Sequence, residues 1–145
     1  MTRHKISEHF YLDEFVPAVF HDKFGQGAMK FIRPEIIAIA ELTRAKTGAP
    51  VTINNWATGG NYSESGLRTF SSSTGAAWSL HKWGAAIDVK VKGLSTEKVF
   101  KIIFENESAF FAEGARRIED IAFTPTWLHI DCGWTGADHI LIIKP

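Results

Sequence analysis

The sequence predicts an α+β protein, a mainly antiparallel sheet with flanking helices. Two observations lead there. Segments of helical and of strand periodicity mix along the chain without the regular alternation that a parallel α/β sheet needs. The last third also breaks into three short apolar runs of strand length, at residues 117–123, 127–131 and 140–143.

The elements follow in order. In "RPEIIAIAELTRAKTG", Pro34 suits a first helical turn, Ile36, Ile37, Ala40, Leu42 and Thr43 give a rough helical stripe, and Gly48 ends it. "VTINN" reads as a strand. Residues 58–77, rich in Gly, Ser and Thr, read as a long loop inside the domain, and loops of that length are often functional. "GAAIDVKV" is a second strand with Ala85, Ile87, Val89 and Val91 on one face and Ala86, Asp88 and Lys90 on the other. "STEKVFKIIFENE" is a helix with Ser95 as N-cap and Val99, Ile102 and Ile103 facing inward.

Composition narrows the class. A chain of 145 residues that is 45% hydrophobic suits one domain, residues 1–145, with a sizeable core. Sixteen Lys and Arg balance sixteen Asp and Glu, so no net charge draws it to nucleic acid or to an acidic membrane surface. The longest apolar run, residues 36–40, falls far short of the roughly 20 residues that span a bilayer. The first ten residues, interrupted by His4, Lys5, Glu8 and His9, lack the apolar segment of a signal peptide, which predicts synthesis in the cytoplasm. The only cysteine, Cys132, has no internal disulfide partner. The expected state is a monomer.

Chemistry concentrates in two acid-bearing strands. A lone carboxylate is costly to bury, so Asp88 in the apolar run "AAIDV" needs a cation, a donor or a metal beside it. In "TWLHIDC", alternation sets Trp127, His129 and Asp131 on one face and Leu128, Ile130 and Cys132 on the other. If this strand lies beside the first, His81, Asp88 and His129 converge. Two imidazoles and one carboxylate are a catalytic zinc set with a fourth position open. The alternative is a satisfied core pair of Asp88 and His129, with His81 a loop residue. His4, His9, His21 and His139 lack ligand spacing and read as surface or capping residues. Trp78, Trp83 and Trp127 crowd the motifs, either as packing or as sugar contacts.

The spacing S-x-H-x-x-G-x-A-x-D, carried by Ser79, His81, Gly84, Ala86 and Asp88, resembles that of the LAS zinc peptidases. These are the clan of D-Ala-D-Ala carboxypeptidases, phage L-alanyl-D-glutamate endopeptidases, murein endopeptidases and the hedgehog signalling domain. "ISEHFYLDEF", "SGLR" at 65–68 and "WLHID" resemble further elements of that family, in the same order. The resemblance implies a hedgehog-like or D-Ala-D-Ala-peptidase-like fold and zinc held by His81, Asp88 and His129. It implies that Arg68 grips a substrate carbonyl or carboxylate, and that Ser79 supports a ligand or touches substrate. It also implies a peptidoglycan peptide as substrate, cut by a phage endolysin or a bacterial wall enzyme. The competing reading is a zinc-binding structural or recognition module, such as a virion component.

One family feature is missing. Many relatives carry an acid three residues before the last histidine as general base, and here that residue is Thr126, which cannot do that work near neutral pH. Asp131, on the face of His129, is the expected replacement, either taking a proton from water or orienting an imidazole. Glu119 and Asp120 read as solvated charges and as weaker candidates.

Overall fold

The computed structural model describes all 145 residues. Five strands form one sheet: β1 (Val51–Thr52), β2 (Ala86–Val91), β3 (Arg117–Glu119), β4 (Leu128–Asp131) and β5 (Leu141–Ile143). Their order is β1-β2-β4-β3-β5; every pairing is antiparallel except that of β3 with β5. The α+β class with a mostly antiparallel sheet and flanking helices is therefore present. No helix is long and apolar enough to cross a membrane.

Helix α1 (Ala18–Phe24) precedes α2 (Pro34–Thr47), which starts on Pro34 and stops at Gly48 in a left-handed conformation at φ 65°. The buried stripe of α2 is Ile36, Ile39, Ala40 and Thr43, the i, i+3, i+4, i+7 pattern, while Ile37 and Leu42 are only half-buried. Ser95 caps α3 (Thr96–Glu105) by accepting the N–H of Lys98 at 3.2 Å, and Val99 and Ile103 turn inward. The helical register breaks at Asn106, whose side chain donates back to the Ile102 carbonyl, and α4 (Glu107–Ala112) follows.

The core faces of β2 and β4 are those the alternation predicts. Ala85, Ile87, Val89 and Val91 join Leu128, Ile130 and Cys132 in one cluster of 25 buried apolar residues, on which α2 and α3 pack. The opposite face of both strands is left for polar side chains. The expected five-residue strand "VTINN" is shorter, because beyond Thr52 the backbone turns to the N-terminal segment. There the Asn54 N–H bonds the Glu14 carbonyl, and the Asn54 side chain accepts the Ser65 N–H.

Two glycines fix how the functional segments reach this sheet. A Cβ on Gly66 would sit 2.3 Å from the Phe15 carbonyl oxygen, so the "SGLR" backbone can lie against the N-terminal segment only without a side chain. Gly84 has φ +62°, and its Cβ would lie 1.9 Å from the Phe31 oxygen. It ends the turn that carries His81 and leads into β2.

Candidate metal centre

Register, rather than sequence proximity, assembles the site. In the β2–β4 ladder Asp88 lies directly opposite His129, so both side chains rise from the non-core face within cross-strand reach. His81 arrives from the 3-10 turn Leu80–Trp83, whose N-cap Ser79 accepts the His81 N–H through its hydroxyl. The three side chains are buried, and one potential ligand atom from each falls within a mutual 4.8 Å.

Hydrogen bonding decides which atoms face the centre. His81 Nδ1 lies 2.8 Å from the Gly66 carbonyl, which can only accept, so Nδ1 carries the proton and Nε2 offers a lone pair. His129 Nε2 lies 3.2 Å from Asp131 Oδ2 and donates to it, leaving Nδ1 as the lone-pair atom. Asp88 gives Oδ2 to the Arg68 guanidinium at 2.9 Å and presents Oδ1 to the two rings. Each candidate ligand is thus aimed by a partner on its other polar atom, the arrangement that orients metal-binding imidazoles.

The resulting cluster is Asp88 Oδ1 to His129 Nδ1 at 3.0 Å, Asp88 Oδ1 to His81 Nε2 at 3.2 Å and His81 Nε2 to His129 Nδ1 at 3.1 Å. Tetrahedral bonds of about 2.0–2.1 Å would place neighbouring donors roughly 3.3 Å apart, so small outward shifts accommodate a zinc-sized ion. Three acceptors facing one another need a positive charge between them. Burial opposes a charged His129 ring, yet hydrogen bonds to Asp131 and Asp88 overcome that and raise its pKa to about 9. Burial likewise opposes a charged Asp88, and the bonds from His129 and His81 outweigh it, holding its carboxyl well below the usual range. The buried His-Asp-His group can therefore hold a metal ion.

Around it opens a cavity of about 510 Å³. Arg68 and Ser79 line it with the three candidate ligands. Although it sits on a polar loop, Arg68 is buried, with only 8% of it exposed. Its Nη2 pairs with Asp88 and its Nε donates to the Glu64 carbonyl at 2.6 Å. Glu64 itself is bonded by the hydroxyls of Ser72 and Thr74, which folds the loop over the arginine. Trp78 stands 82% exposed on the rim, so it is not packing, while Trp83 meets Phe70 edge to face and Trp127 is half-buried.

Asp131 is fully buried, and its oxygens are taken by Arg117 Nε at 2.9 Å, His129 Nε2 and the Gly133 N–H at 3.0 Å. It sits on the side of the His129 ring away from the cluster. Thr126 is exposed and lines a separate cleft with Tyr62 and Leu94. Asp120 caps a turn by accepting the Ala122 N–H. Glu119, read from sequence as a solvated charge, is instead half-buried and lines the cavity. Cys132 faces the core, and burial pushes its thiol up to about 11. Of the other histidines, His9 and His139 bond Glu41 and Asp138 at the surface. His21 differs from the surface expectation, being buried edge-on against Trp56.

No protein-family model matches the chain, and no curated protein or solved structure matches it either. The resemblance to the LAS zinc peptidases therefore stands on the motif residues alone.

Proposed function

We propose that the protein is a zinc-dependent peptidase that hydrolyses peptide bonds in peptidoglycan stem peptides or their cross-links, as phage endolysins do. The observation that carries this reading is the convergence of His81 Nε2, Asp88 Oδ1 and His129 Nδ1 on one point of a cavity wall, each aimed by a partner behind it. Two borderline-soft imidazoles and one carboxylate suit zinc better than magnesium or calcium. Zinc held there supplies Lewis acidity to a scissile carbonyl and to the attacking water.

The chain's own residues do the rest. Arg68 pairs with Asp88 and fixes its orientation, and from the cavity wall it holds a substrate carboxylate or the carbonyl oxygen. Ser79 holds the His81 turn and presents its hydroxyl to the same space. Asp131, clamped by Arg117, fixes the tautomer of His129. The exposed Trp78 on the rim offers a flat apolar surface to the part of the substrate outside the cavity. The substrate class, containing D-amino acids, comes from the motif resemblance and from nothing else.

A second reading, a non-catalytic zinc-binding module, is favoured by one observation: no acid occupies the three positions before His129. Metal analysis of the purified protein, with mass spectrometry of peptidoglycan digests with and without a chelator, separates the two. One equivalent of zinc and chelator-sensitive release of stem-peptide fragments are expected. One equivalent of zinc with no fragments supports the module, and no bound metal removes both.

A further inference from the structure

Peptide hydrolysis needs a group to accept the proton of the attacking water, and the position that supplies it in the resembling family is filled by Thr126, outside the cavity. Three acids line the cavity: Asp88, Glu119 and Asp131. Asp88 has both oxygens engaged by Arg68 and the two histidines. Asp131 has both engaged by Arg117, His129 and the Gly133 N–H, behind the ring. Glu119 alone has no ion pair or hydrogen-bonded partner.

Its position follows from the strand. Arg117 pairs with Asp131 and Ile118 with Ile130 on β4, and Glu119 is the next residue of β3, just past the end of that ladder. Residues two apart on a strand share a face, so Glu119 lies on the face of Arg117, and the Arg117–Asp131 bond at 2.9 Å shows that this is the face of Asp131 and His129. Glu119 therefore rises beside the His129 ring into the cavity that the cluster faces. A second polar group on this wall is also unmet: Thr124, 2% exposed on the loop between β3 and β4, keeps a buried hydroxyl without a partner.

We propose that Glu119 is the general base of the peptidase reaction, doing from β3 what relatives do from the residues before the last histidine. This rests on the peptidase reading above. As the water oxygen bonds the scissile carbonyl carbon, one water O–H bond breaks and its proton passes to the Glu119 carboxylate. As the C–N bond then breaks, that proton moves to the leaving nitrogen. Carboxylate, water and peptide become carboxylate, acid and amine, with no other reactant required.

The test is Glu119→Gln in the full chain, with Asp131→Asn as contrast. Four quantities are read: zinc stoichiometry and affinity by chelator competition, thermal midpoint, muropeptide binding by calorimetry, and cleavage. Glu119→Gln should bind zinc and muropeptide as the wild type does, with an unchanged midpoint, while kcat falls roughly 10²- to 10⁴-fold. Asp131→Asn should instead weaken zinc by about 10- to 100-fold. Glu119→Asp, which keeps the carboxylate but withdraws it, should fall between wild type and Glu119→Gln. Wild-type turnover in Glu119→Gln, or a rate loss restored by adding zinc, would overturn the assignment and leave the peptidase reading intact. A wild-type protein that holds zinc and cleaves no muropeptide overturns both.

Discussion

Replacing Arg68 by alanine separates a structural from a purely substrate-directed arginine. From its place in a polar loop, the residue is expected to leave metal binding and stability nearly unchanged when removed. The buried geometry argues otherwise, because Nη2 bonds Asp88 at 2.9 Å and Nε bonds the Glu64 carbonyl at 2.6 Å, with 8% of the residue exposed. Truncation removes the arginine from a buried carboxylate, and removing one partner of such a pair costs about 3–5 kcal/mol. Asp88 keeps its two imidazole contacts, so the lower end applies. At about 2.1 cal/mol/K of unfolding entropy per residue, a chain of 145 residues loses roughly 10 °C of thermal midpoint for about 3 kcal/mol. Zinc supplies the missing positive charge, so the deficit should shrink when the metal is added, and the zinc-induced rise in midpoint should be larger in Arg68→Ala than in wild type. Scanning calorimetry of both proteins, metal-free and zinc-loaded, reads this. Equal metal-free midpoints would refute the argument and return Arg68 to a role toward substrate alone.

Three further outcomes follow from the same geometry. His81→Ala, Asp88→Ala and His129→Ala should each lose bound zinc by metal analysis, and full occupancy in all three would remove the metal site. Gly84→Ala forces a left-handed alanine, about 1–2 kcal/mol, and drives its Cβ against the Phe31 oxygen, so it should lower the midpoint and weaken zinc together. An unchanged midpoint would show that the turn relaxes freely. Cys132, facing the core with its thiol pushed up to about 11, should resist alkylation in the native state at neutral pH and become reactive on unfolding. Rapid native labelling would contradict its placement.

The parts legible in the sequence are those that local rules determine. Pro34 and Gly48 bracket α2, Ser95 caps α3, and period-two alternation sorts β2 and β4 into a core face and a site face. The spacing from His81 to Asp88 is a turn followed by a strand, so it too is local. What stayed hidden depends on pairing between distant segments. Glu119 looks like a solvated charge until β3 is laid against β4 in register, and Arg68 looks exposed until Glu64, Ser72 and Thr74 fold the loop over it. The short helices α1 and α4 contain too few turns to show a period. Beyond Thr52, strand β1 is shortened by bonds to Glu14 and Ser65, which no local pattern announces.

The charges around the centre give a last constraint on what it can receive. Asp88 and Asp131 are each paired with an arginine, Arg68 and Arg117, so the two pairs cancel. Glu119 and Lys144, which also line the cavity, add one charge of each sign, and the hydrogen bonds to Asp131 and Asp88 that raise the pKa of His129 to about 9 favour a proton on its ring when no metal is there. A divalent ion in place of that proton adds a further positive charge to the group, in a cavity where the field is little screened. A peptide that brings a free carboxylate reduces that excess, whereas one that brings an amine worsens it. The loaded site should therefore favour substrates with a carboxylate near the cut bond. Comparing cleavage of a free stem peptide with that of its C-terminal amide measures this, and equal kcat/KM for the two would show that substrate charge plays no part in recognition.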